Sequence, residues 1–313
     1  SGSGHYNGKL GGNMKSFNEI MEKARQSGPK RIAVACAQDA DVLKSVDMAN
    51  VAGIADATLV GDREAIIDIC KKLDIDYNKY DIVDEPDNQL AAMAAAKLVS
   101  DKKADILMKG LVDTSVVLKA VLNKELSLRT GNPISHAAVV EIPGYDRLMF
   151  VTDAAMNISP DLNAKAAIIR NTVKLANALY IDMPKVGVVC AKEKVDEKMP
   201  ATLDAQSLVE MNRSVEIDGC IVGGPFALDN AVSEEAAHHK GIKDPIAGKC
   251  DILLMPDIEA GNVLYKAISY FSKSKIAGII RGASKPIVLT SRADSEETKM
   301  YSIALAVVYS SKF

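Results

Sequence analysis

The sequence predicts an α/β protein made of two doubly wound domains with a cleft between them. Short apolar runs alternate with segments of helical periodicity along most of the chain, which indicates βαβ units and a mostly parallel sheet. The chain has 313 residues and 48% hydrophobic content, enough for two such cores. We expect residues 14–152 and 298–313 to form the first domain and residues 153–297 the second. The Gly/Ser-rich segment 1–13 reads as an added leader outside the fold.

In the first half of the chain, strands and helices are expected in strict alternation. Strands are predicted at 31–35, 57–60, 81–83 and 105–108, and helices at 17–26, 39–51, 63–73, 88–100 and 114–122. Two β-branched-rich runs then break this rhythm, at 136–142 and 147–152. They are joined by the turn sequence PGYD at 143–146, which predicts an antiparallel hairpin.

The second half returns to the βαβ pattern. Helices are predicted at 161–179, 202–211, 262–271 and 296–309, and strands at 186–190, 220–222, 251–255, 277–280 and 287–290. We expect the last strand and the last helix to cross back toward the first half of the chain.

Overall charge and composition exclude several classes of partner. The 38 basic and 41 acidic residues give a net charge of -3, so no global field favours nucleic acid or a membrane surface. No apolar run approaches the roughly 20 residues that cross a bilayer. Five cysteines without a CxxC pair lie mostly in or beside apolar runs, which indicates buried thiols in a reducing compartment. We therefore expect a cytoplasmic protein.

The strongest candidate site follows the predicted strand at 287–290. Polarity switches abruptly there to Ser291, Arg292 and Asp294, and Asp294 or Ser295 is suited to cap the helix that follows. A hydroxyl, a guanidinium and free helix N–H groups would then meet where open α/β sheets bind ligands. Because its planar fork donates two parallel hydrogen bonds, Arg292 is suited to hold a phosphate, although an ordinary surface arginine beside a helix cap fits the same residues.

Other strand ends carry further polar residues. Lys109 ends one strand, polar clusters flank the predicted hairpin, glycines at 223–224 allow close backbone approach to a ligand, and Asn262 is placed to cap a helix. The candidate catalytic residues are Ser291, Arg292 and Asp294, and the candidate substrate-binding residues are Lys109, Arg129, Thr130, Ser135, Asp153, Asn157, Gly224, Asp229 and Asn262.

Several familiar catalytic motifs are missing. No GxGxxG opens a helix after a strand, no P-loop is complete, and no GxSxG is present. Ser135 and His136 cannot form a nucleophile–base pair if both lie in a strand, because successive side chains point to opposite faces. The histidines show no metal-binding spacing, so we expect no metal.

Six ordered motifs together resemble the phosphate acyltransferase (phosphate acetyl/butyryltransferase) family. They are KG at 109–110, LRTG with SH at 128–136, TDAAMNISP at 152–160, GGPFALDNAVS at 223–233, PDIEAGNVLYK at 256–266 and KPIVLTSRAD at 285–294. The LTSRAD and PDIEAGN phrases are most similar to those of the butyryl-transferring members. The resemblance spans roughly residues 14–313.

The resemblance implies a fold similar to the isocitrate and isopropylmalate dehydrogenases, with the active site between domains. It implies the reaction butanoyl-CoA + phosphate = CoA + butanoyl phosphate by direct displacement, with coenzyme A as a substrate, no bound cofactor, and a homo-oligomer that is a dimer or a multiple of dimers. By the same resemblance Arg292 holds phosphate, Ser291 lies by the thiol and Arg129 meets a phosphate of coenzyme A. Thr298 stands where the acetyl enzymes have an acid, so Asp294 and Glu297 are the nearby substitutes.

Three alternatives stay open at this point. The chain could be a phosphate acetyltransferase, since chain-length preference could depend on a few pocket side chains. It could be a metal- and NAD-dependent decarboxylating dehydrogenase on the same fold, which would need clustered aspartates. It could also be a non-catalytic protein that binds coenzyme A or an acyl phosphate.

Overall fold

Eleven strands form one continuous mixed sheet in the computed structural model, which describes residues 12–313. Most of the predicted leader therefore lies outside the described residues. The strands are β1 (Lys30–Ala35), β2 (Ala55–Gly61), β3 (Asp81–Asp84), β4 (Ile106–Lys109), β5 (Ser135–Glu141), β6 (Met149–Thr152), β7 (Lys185–Val189), β8 (Ile221–Phe226), β9 (Ile252–Leu254), β10 (Lys275–Arg281) and β11 (Ile287–Val288). The helices are α1 (Phe17–Ser27), α2 (Ala40–Val51), α3 (Arg63–Lys72), α4 (Asn88–Ser100), α5 (Thr114–Val121), α6 (Leu162–Ala178), α7 (Pro200–Arg213), α8 (Leu228–Val232), α9 (Glu234–His239), α10 (Ile258–Phe271) and α11 (Glu296–Lys312).

The sheet has the order β3-β2-β1-β4-β11-β10-β5-β6-β9-β7-β8. Strands β1 to β4 and β11 form one parallel block, and β6, β9, β7 and β8 form another. Strand β10 is antiparallel to both β11 and β5, and β5 is antiparallel to β6, which confirms the predicted hairpin. The two parallel blocks consequently run in opposite directions.

Helices cover the two faces of the sheet unequally. One face is covered by a single apolar core to which α1, α2, α3, α6, α7 and α11 all contribute. The other face carries two separate clusters, one under α4 and α5 and one under α8, α9 and α10. The predicted α/β class is confirmed. The two clusters are separate above the middle strands, and we name the boundary between them the open gap. The division into two domains stays a prediction, although β5 and β6 pair with strands of the second half of the chain.

The last helix, α11, is central to the core. Every residue from 299 to 309 is buried, as expected for a helix whose apolar residues lie all round it. Of the two predicted caps, Ser295 is the N-cap, and its hydroxyl accepts a hydrogen bond from the N–H of Thr298 at 3.0 Å. The helix packs against α1, α2 and β10, so the chain does cross back as predicted.

Two predicted boundaries are wrong by four residues. Strand β8 continues through the predicted glycine loop to Phe226. Helix α10 begins at Ile258 rather than at Asn262, because Asp257 is the N-cap and accepts a hydrogen bond from the N–H of Ala260 at 2.9 Å. Asn262 therefore lies inside the helix and does not cap it. The short helices α8 and α9 were not predicted.

All five cysteines are free and buried, as predicted. Burial raises the pKa of the Cys36 thiol to about 11, with Asp87 adding to the effect. Within residues 12–313, none of the helices combines the length and apolar character that crossing a bilayer requires.

Gly110 follows β4 and lies close against the backbone at the end of β1. Its replacement by alanine should destabilise the fold. A Cβ at this position would lie 2.1 Å from the carbonyl oxygen of Cys36 and 2.8 Å from that of Ala35. We expect Gly110→Ala to lower the free energy of unfolding by about 2 kcal/mol, measured by urea denaturation. Gly12→Ala is the control, because nothing lies within 4 Å of a Cβ there. Equal stability of the two variants would contradict this packing.

Candidate active site

A crevice of about 430 Å³ opens where β1, β4 and β11 end. Its polar lining comes from five segments of the chain and comprises Asp39, Asp41, Asn88, Lys109, Asp113, Thr290, Ser291, Arg292 and Lys299. Asp39 and Asp113 are the N-caps of α2 and α5, and Asn88 is the first residue of α4. Three helix N-termini therefore meet at this crevice, and their free N–H groups favour a bound anion.

Lys109 and Arg292 supply the positive charge of the crevice. The guanidinium of Arg292 is exposed and forms no hydrogen bond or ion pair with any residue of 12–313. The amino group of Lys109 donates to the carbonyl oxygens of Val112 at 3.1 Å and Gly110 at 3.3 Å. An ammonium group has three donors, so one stays available for a ligand. The predicted meeting of Lys109, Ser291 and Arg292 is therefore seen in the structure.

Asp294 shapes the loop that carries Ser291 and Arg292. Its carboxylate accepts a hydrogen bond from the N–H of Ser291 at 2.9 Å, and its own N–H donates to the carbonyl oxygen of Ser291 at 3.1 Å. Lys299 is buried and donates from its amino group to the Asp294 carbonyl oxygen at 2.9 Å. Sequence reasoning missed Lys299, although a lysine among the apolar residues of α11 was a signal for it.

A second polar cluster follows β6. Asp153 is buried, and its carboxylate accepts hydrogen bonds from the N–H groups of Ala155 at 2.8 Å, Met156 at 2.9 Å and Asn157 at 3.1 Å. The side-chain amide of Asn157 also donates to Asp153 at 2.6 Å. Asn262 donates to the carbonyl oxygen of Ala154 at 3.2 Å, so α10 is fastened to the same loop. Asp153, Asn157 and Asn262 thus lie together, as neighbours of one another rather than of Arg292.

Arg129 and Thr130 lie at the other end of β11 from Arg292. Arg129 forms an isolated antiparallel bridge with Ala283, and the Thr130 hydroxyl donates to the carbonyl oxygen of Gly282. Both side chains are exposed. They border the open gap of the sheet at its opposite edge.

Three predicted site residues lie elsewhere. Ser135 is buried on the covered face of the sheet, where its hydroxyl accepts a hydrogen bond from Asn171 at 2.9 Å. Gly224 lies in β8 and Asp229 in α8, at the far end of the sheet, where Asp229 pairs with Lys240 at 3.0 Å and has its pKa lowered by that hydrogen bond. Strand β8 is six positions from β11, about 29 Å at the usual strand spacing, so neither residue joins the crevice.

His136 lies in the open gap, on the face opposite Ser135. Burial lowers the pKa of its imidazole below the ordinary value of 6.5, while the negative charges of Asp153 and Asp294 partly counteract this. Sequence reasoning did not place His136 in the site.

This lowered pKa should make stability depend on pH. The unfolded chain takes up a proton near pH 6.5 that the folded protein binds only at lower pH, so the contribution of His136 is complete above about pH 6.5 and lost below it. We expect the unfolding free energy to fall between about pH 7.5 and about pH 5.5, and to fall less in His136→Gln, as measured by urea denaturation. His239→Gln, an exposed position, is the control. An identical decline in the two variants would contradict this assignment.

Potential metal ligands are dispersed. Throughout residues 12–313, no group of three or more His, Cys, Asp or Glu side chains is arranged to hold a metal ion. The crevice instead offers cations and helix N–H groups, the donors that an oxyanion requires.

An open α/β sheet whose strand ends bring Lys109 and Arg292 together with three helix N-termini is an arrangement suited to binding an oxyanion. The family described as "Phosphate acetyl/butaryl transferase" matches residues 16–93 and 86–307. A phosphate butyryltransferase from Clostridium acetobutylicum is 54% identical over 295 residues, covering 94% of this chain and 98% of the relative. The chain therefore belongs to the phosphate acetyl/butyryl transferase family, which confirms the resemblance read from its motifs.

Further comparisons agree with this membership. A phosphate acetyltransferase from Thermotoga maritima is 45% identical over 293 residues, 94% of this chain and 99% of that relative. A branched-chain phosphotransacylase from Enterococcus faecalis has a TM-score of 0.81 at 32% identity, covering 90% of this chain and 99% of that one. A 4-hydroxythreonine-4-phosphate dehydrogenase from Klebsiella pneumoniae, with a TM-score of 0.57 at 12% identity over 90% and 99% of the two chains, shows the shared dehydrogenase-type fold alone.

Proposed function

We propose that the protein transfers a butanoyl group between coenzyme A and inorganic phosphate, in the reaction butanoyl-CoA + phosphate = CoA + butanoyl phosphate. Its 54% identity to a phosphate butyryltransferase supports this choice of acyl group. The observation that carries the proposal is the single crevice shared by Lys109, Ser291 and Arg292, where a phosphate dianion finds two cations and three helix N-termini.

The reaction can proceed by direct displacement in this setting. Arg292 and Lys109 hold the phosphate, which attacks the thioester directly. Ser291 lies beside that thioester. Catalysis then consists of positioning the two substrates and stabilising the charge that moves from phosphate oxygen to the thioester carbonyl. This mechanism does not require a covalent protein nucleophile.

We place coenzyme A, as a substrate and not a resident cofactor, along the open gap of the sheet. The thioester lies near the crevice, and the nucleotide end lies toward Arg129 and Thr130 at the opposite edge. The exposed side chain of Arg129 supports this placement, because a guanidinium pairs readily with a phosphate. Ser135, Gly224 and Asp229 are left out of the proposed site, and Asp153, Asn157 and Asn262 act by shaping its wall.

A thiol-release assay with acetyl-, propionyl-, butanoyl- and isobutanoyl-CoA, each with and without phosphate, tests the activity. We expect phosphate-dependent release that is fastest with butanoyl-CoA, each buried methylene contributing about 0.8 kcal/mol, or roughly fourfold. Fastest release from acetyl-CoA would favour a phosphate acetyltransferase. Binding of every acyl-CoA without turnover would favour a non-catalytic binding protein, and dependence on magnesium and NAD would favour a decarboxylating dehydrogenase.

We further propose a homo-oligomer, a dimer or a multiple of dimers. Helix α10 supports this, because its sequence is apolar while Gly261 is its one buried residue. Val263, Tyr270 and Phe271 are 66%, 74% and 91% exposed, and a second copy of the chain would cover them. Sizing of the purified protein tests this, with Phe271→Glu expected to shift it to a smaller species.

A cytoplasmic location is proposed on the five free, buried thiols, which suit a reducing compartment.

A further inference from the structure

His136 is the second residue of β5 and lies at the open gap, with its backbone nearer to the edge that carries Arg129 than to the edge that carries Arg292. Its strand partner in β10 is Ile280, which in turn pairs with Ile287 of β11, so the three side chains form a row on one face. Ile280 and Ile287 belong to the apolar cluster under α4 and α5, whereas Ala138, two residues after His136, belongs to the cluster under α10. The imidazole therefore lies at the boundary between the two clusters, with Tyr265 of α10 beside it.

The imidazole leans toward the edge that carries Arg292. Its Nε2 atom lies 3.0 Å from the position that a Cβ of residue 278 would occupy. The ring of His136 therefore lies over Gly278 of the neighbouring strand β10. Gly278 is two residues nearer than Ile280 to the edge at which β11 delivers Ser291 and Arg292. A side chain at position 278 would obstruct the ring, and glycine leaves the path open.

The hydrogen-bonding state of His136 is unusual for a structural histidine. Its Nδ1 atom is buried without a partner, and its Nε2 atom makes no hydrogen bond to any other residue of 12–313. The ring is held by packing instead, with Tyr265 of α10 edge-on at a centroid distance of 5.9 Å. Leaving a buried polar atom unpaired costs stability, so a role other than fastening the fold is indicated.

The two acids near His136 are occupied elsewhere. The Asp294 carboxylate holds the N–H of Ser291, and the Asp153 carboxylate accepts four hydrogen bonds from its own loop. At Thr298 the chain has no acid, and the Glu297 carboxylate accepts a hydrogen bond from Tyr301 at 2.7 Å. Among the groups near the gap, His136 is the base that is free to exchange a proton.

We propose that His136 carries the proton between the phosphate and the coenzyme A sulfur, an inference that rests on the acyltransferase function proposed above. As the phosphate oxygen bonds to the thioester carbon and the carbon–sulfur bond breaks, neutral Nε2 accepts the proton of hydrogen phosphate and delivers it to the departing thiolate. In the reverse direction Nε2 takes the proton of the thiol and returns it to the phosphate oxygen. No proton is gained or lost overall.

Ligand binding to the wild-type protein tests this without turnover. The imidazole resonances of His136, assigned with His136→Gln, are followed by NMR as coenzyme A or desulfo-coenzyme A is added. We expect a shift of these resonances and of the titration midpoint with coenzyme A, and a much smaller one with the analogue that lacks sulfur. Equal responses to the two compounds would overturn the proposal, whether or not the protein proves to be an acyltransferase.

Kinetics supply the second test. We expect His136→Gln to lower kcat for coenzyme A with butanoyl phosphate about 100-fold or more, with KM for coenzyme A little changed. The wild-type rate should fall only at a pH below the ordinary histidine value of 6.5, because burial lowers the pKa of His136 while Asp153 and Asp294 partly counteract this beside the uncharged Tyr265. The variant should lack this acidic limb. Imidazole added to His136→Ala should restore part of the rate, and His239→Gln should behave as wild type. An unchanged pH profile in His136→Gln, or a loss confined to KM, would overturn the proposal.

Discussion

Replacing Arg292 by alanine should lower kcat/KM for butanoyl-CoA with phosphate by about 100- to 1,000-fold. The guanidinium is the exposed cation at the mouth of the crevice, which Lys109 and the buried Lys299 also line. Its loss removes donors aimed at the oxygen atoms on which charge changes during transfer. Initial rates over a range of phosphate concentrations, with thiol release as readout, measure the effect.

The Arg292→Ala variant should fold normally, because Arg292 makes no hydrogen bond or ion pair with the rest of residues 12–313. Arg292→Lys should keep part of the activity, since an ammonium group retains the charge but loses the two-pronged geometry. Arg213→Ala is the matched control, as that arginine is exposed on α7, away from the crevice. Wild-type activity in Arg292→Ala would rule out this residue as the phosphate ligand.

Replacing Asp153 by alanine should lower the free energy of unfolding by about 3 kcal/mol. The variant loses an acceptor of four hydrogen bonds and leaves the N–H groups of Ala155, Met156 and Asn157 without their partner. The same loop is fastened to α10 through Asn262, so the wall of the gap should loosen as well. Urea denaturation at neutral pH measures the stability change.

Asp182→Ala is the matched control, because Asp182 is exposed and makes no hydrogen bond or ion pair within the described residues. Asp153→Asn should show an intermediate loss, since an amide keeps one acceptor oxygen but turns an NH₂ group toward donors. A stability change below about 0.5 kcal/mol in Asp153→Ala, the range of ordinary surface substitutions, would contradict the buried carboxylate network.

The part of the site formed by neighbouring residues in the sequence could be predicted from short sequence patterns. The switch from an apolar run to Ser291 and Arg292, with Ser295 capping the next helix, is contained in ten residues and was readable directly. The alternation of strands and helices likewise follows from periodicity. The prediction was wrong at β8, because glycine and proline usually end a strand, and at the start of α10, because Asp257 was interpreted as a loop residue.

The grouping of distant residues could not be predicted. Most candidates stood near the end of a predicted strand, yet which strand ends meet depends on strand order and direction. Both are set by packing between remote segments of the chain. Gly224 lies in β8 and Asp229 just after it, six positions away from β11, whereas Lys109 ends the strand next to β11. His136 reaches the gap only because β10 lies beside β5, and no local pattern indicates that pairing.

The reversal of strand direction at β10 sets a length requirement on anything that binds across the sheet. The crevice and the rim at Arg129 lie at opposite ends of β10, a strand of seven residues that spans about 23 Å. Two small ions could bind at the two ends independently. A single molecule contacts both ends only if a narrow linker of about that length joins its two binding groups. The distance between the crevice and Arg129 then selects a substrate as strongly as the two groups of residues themselves. A shortened thioester would lose its contacts at one of the two ends.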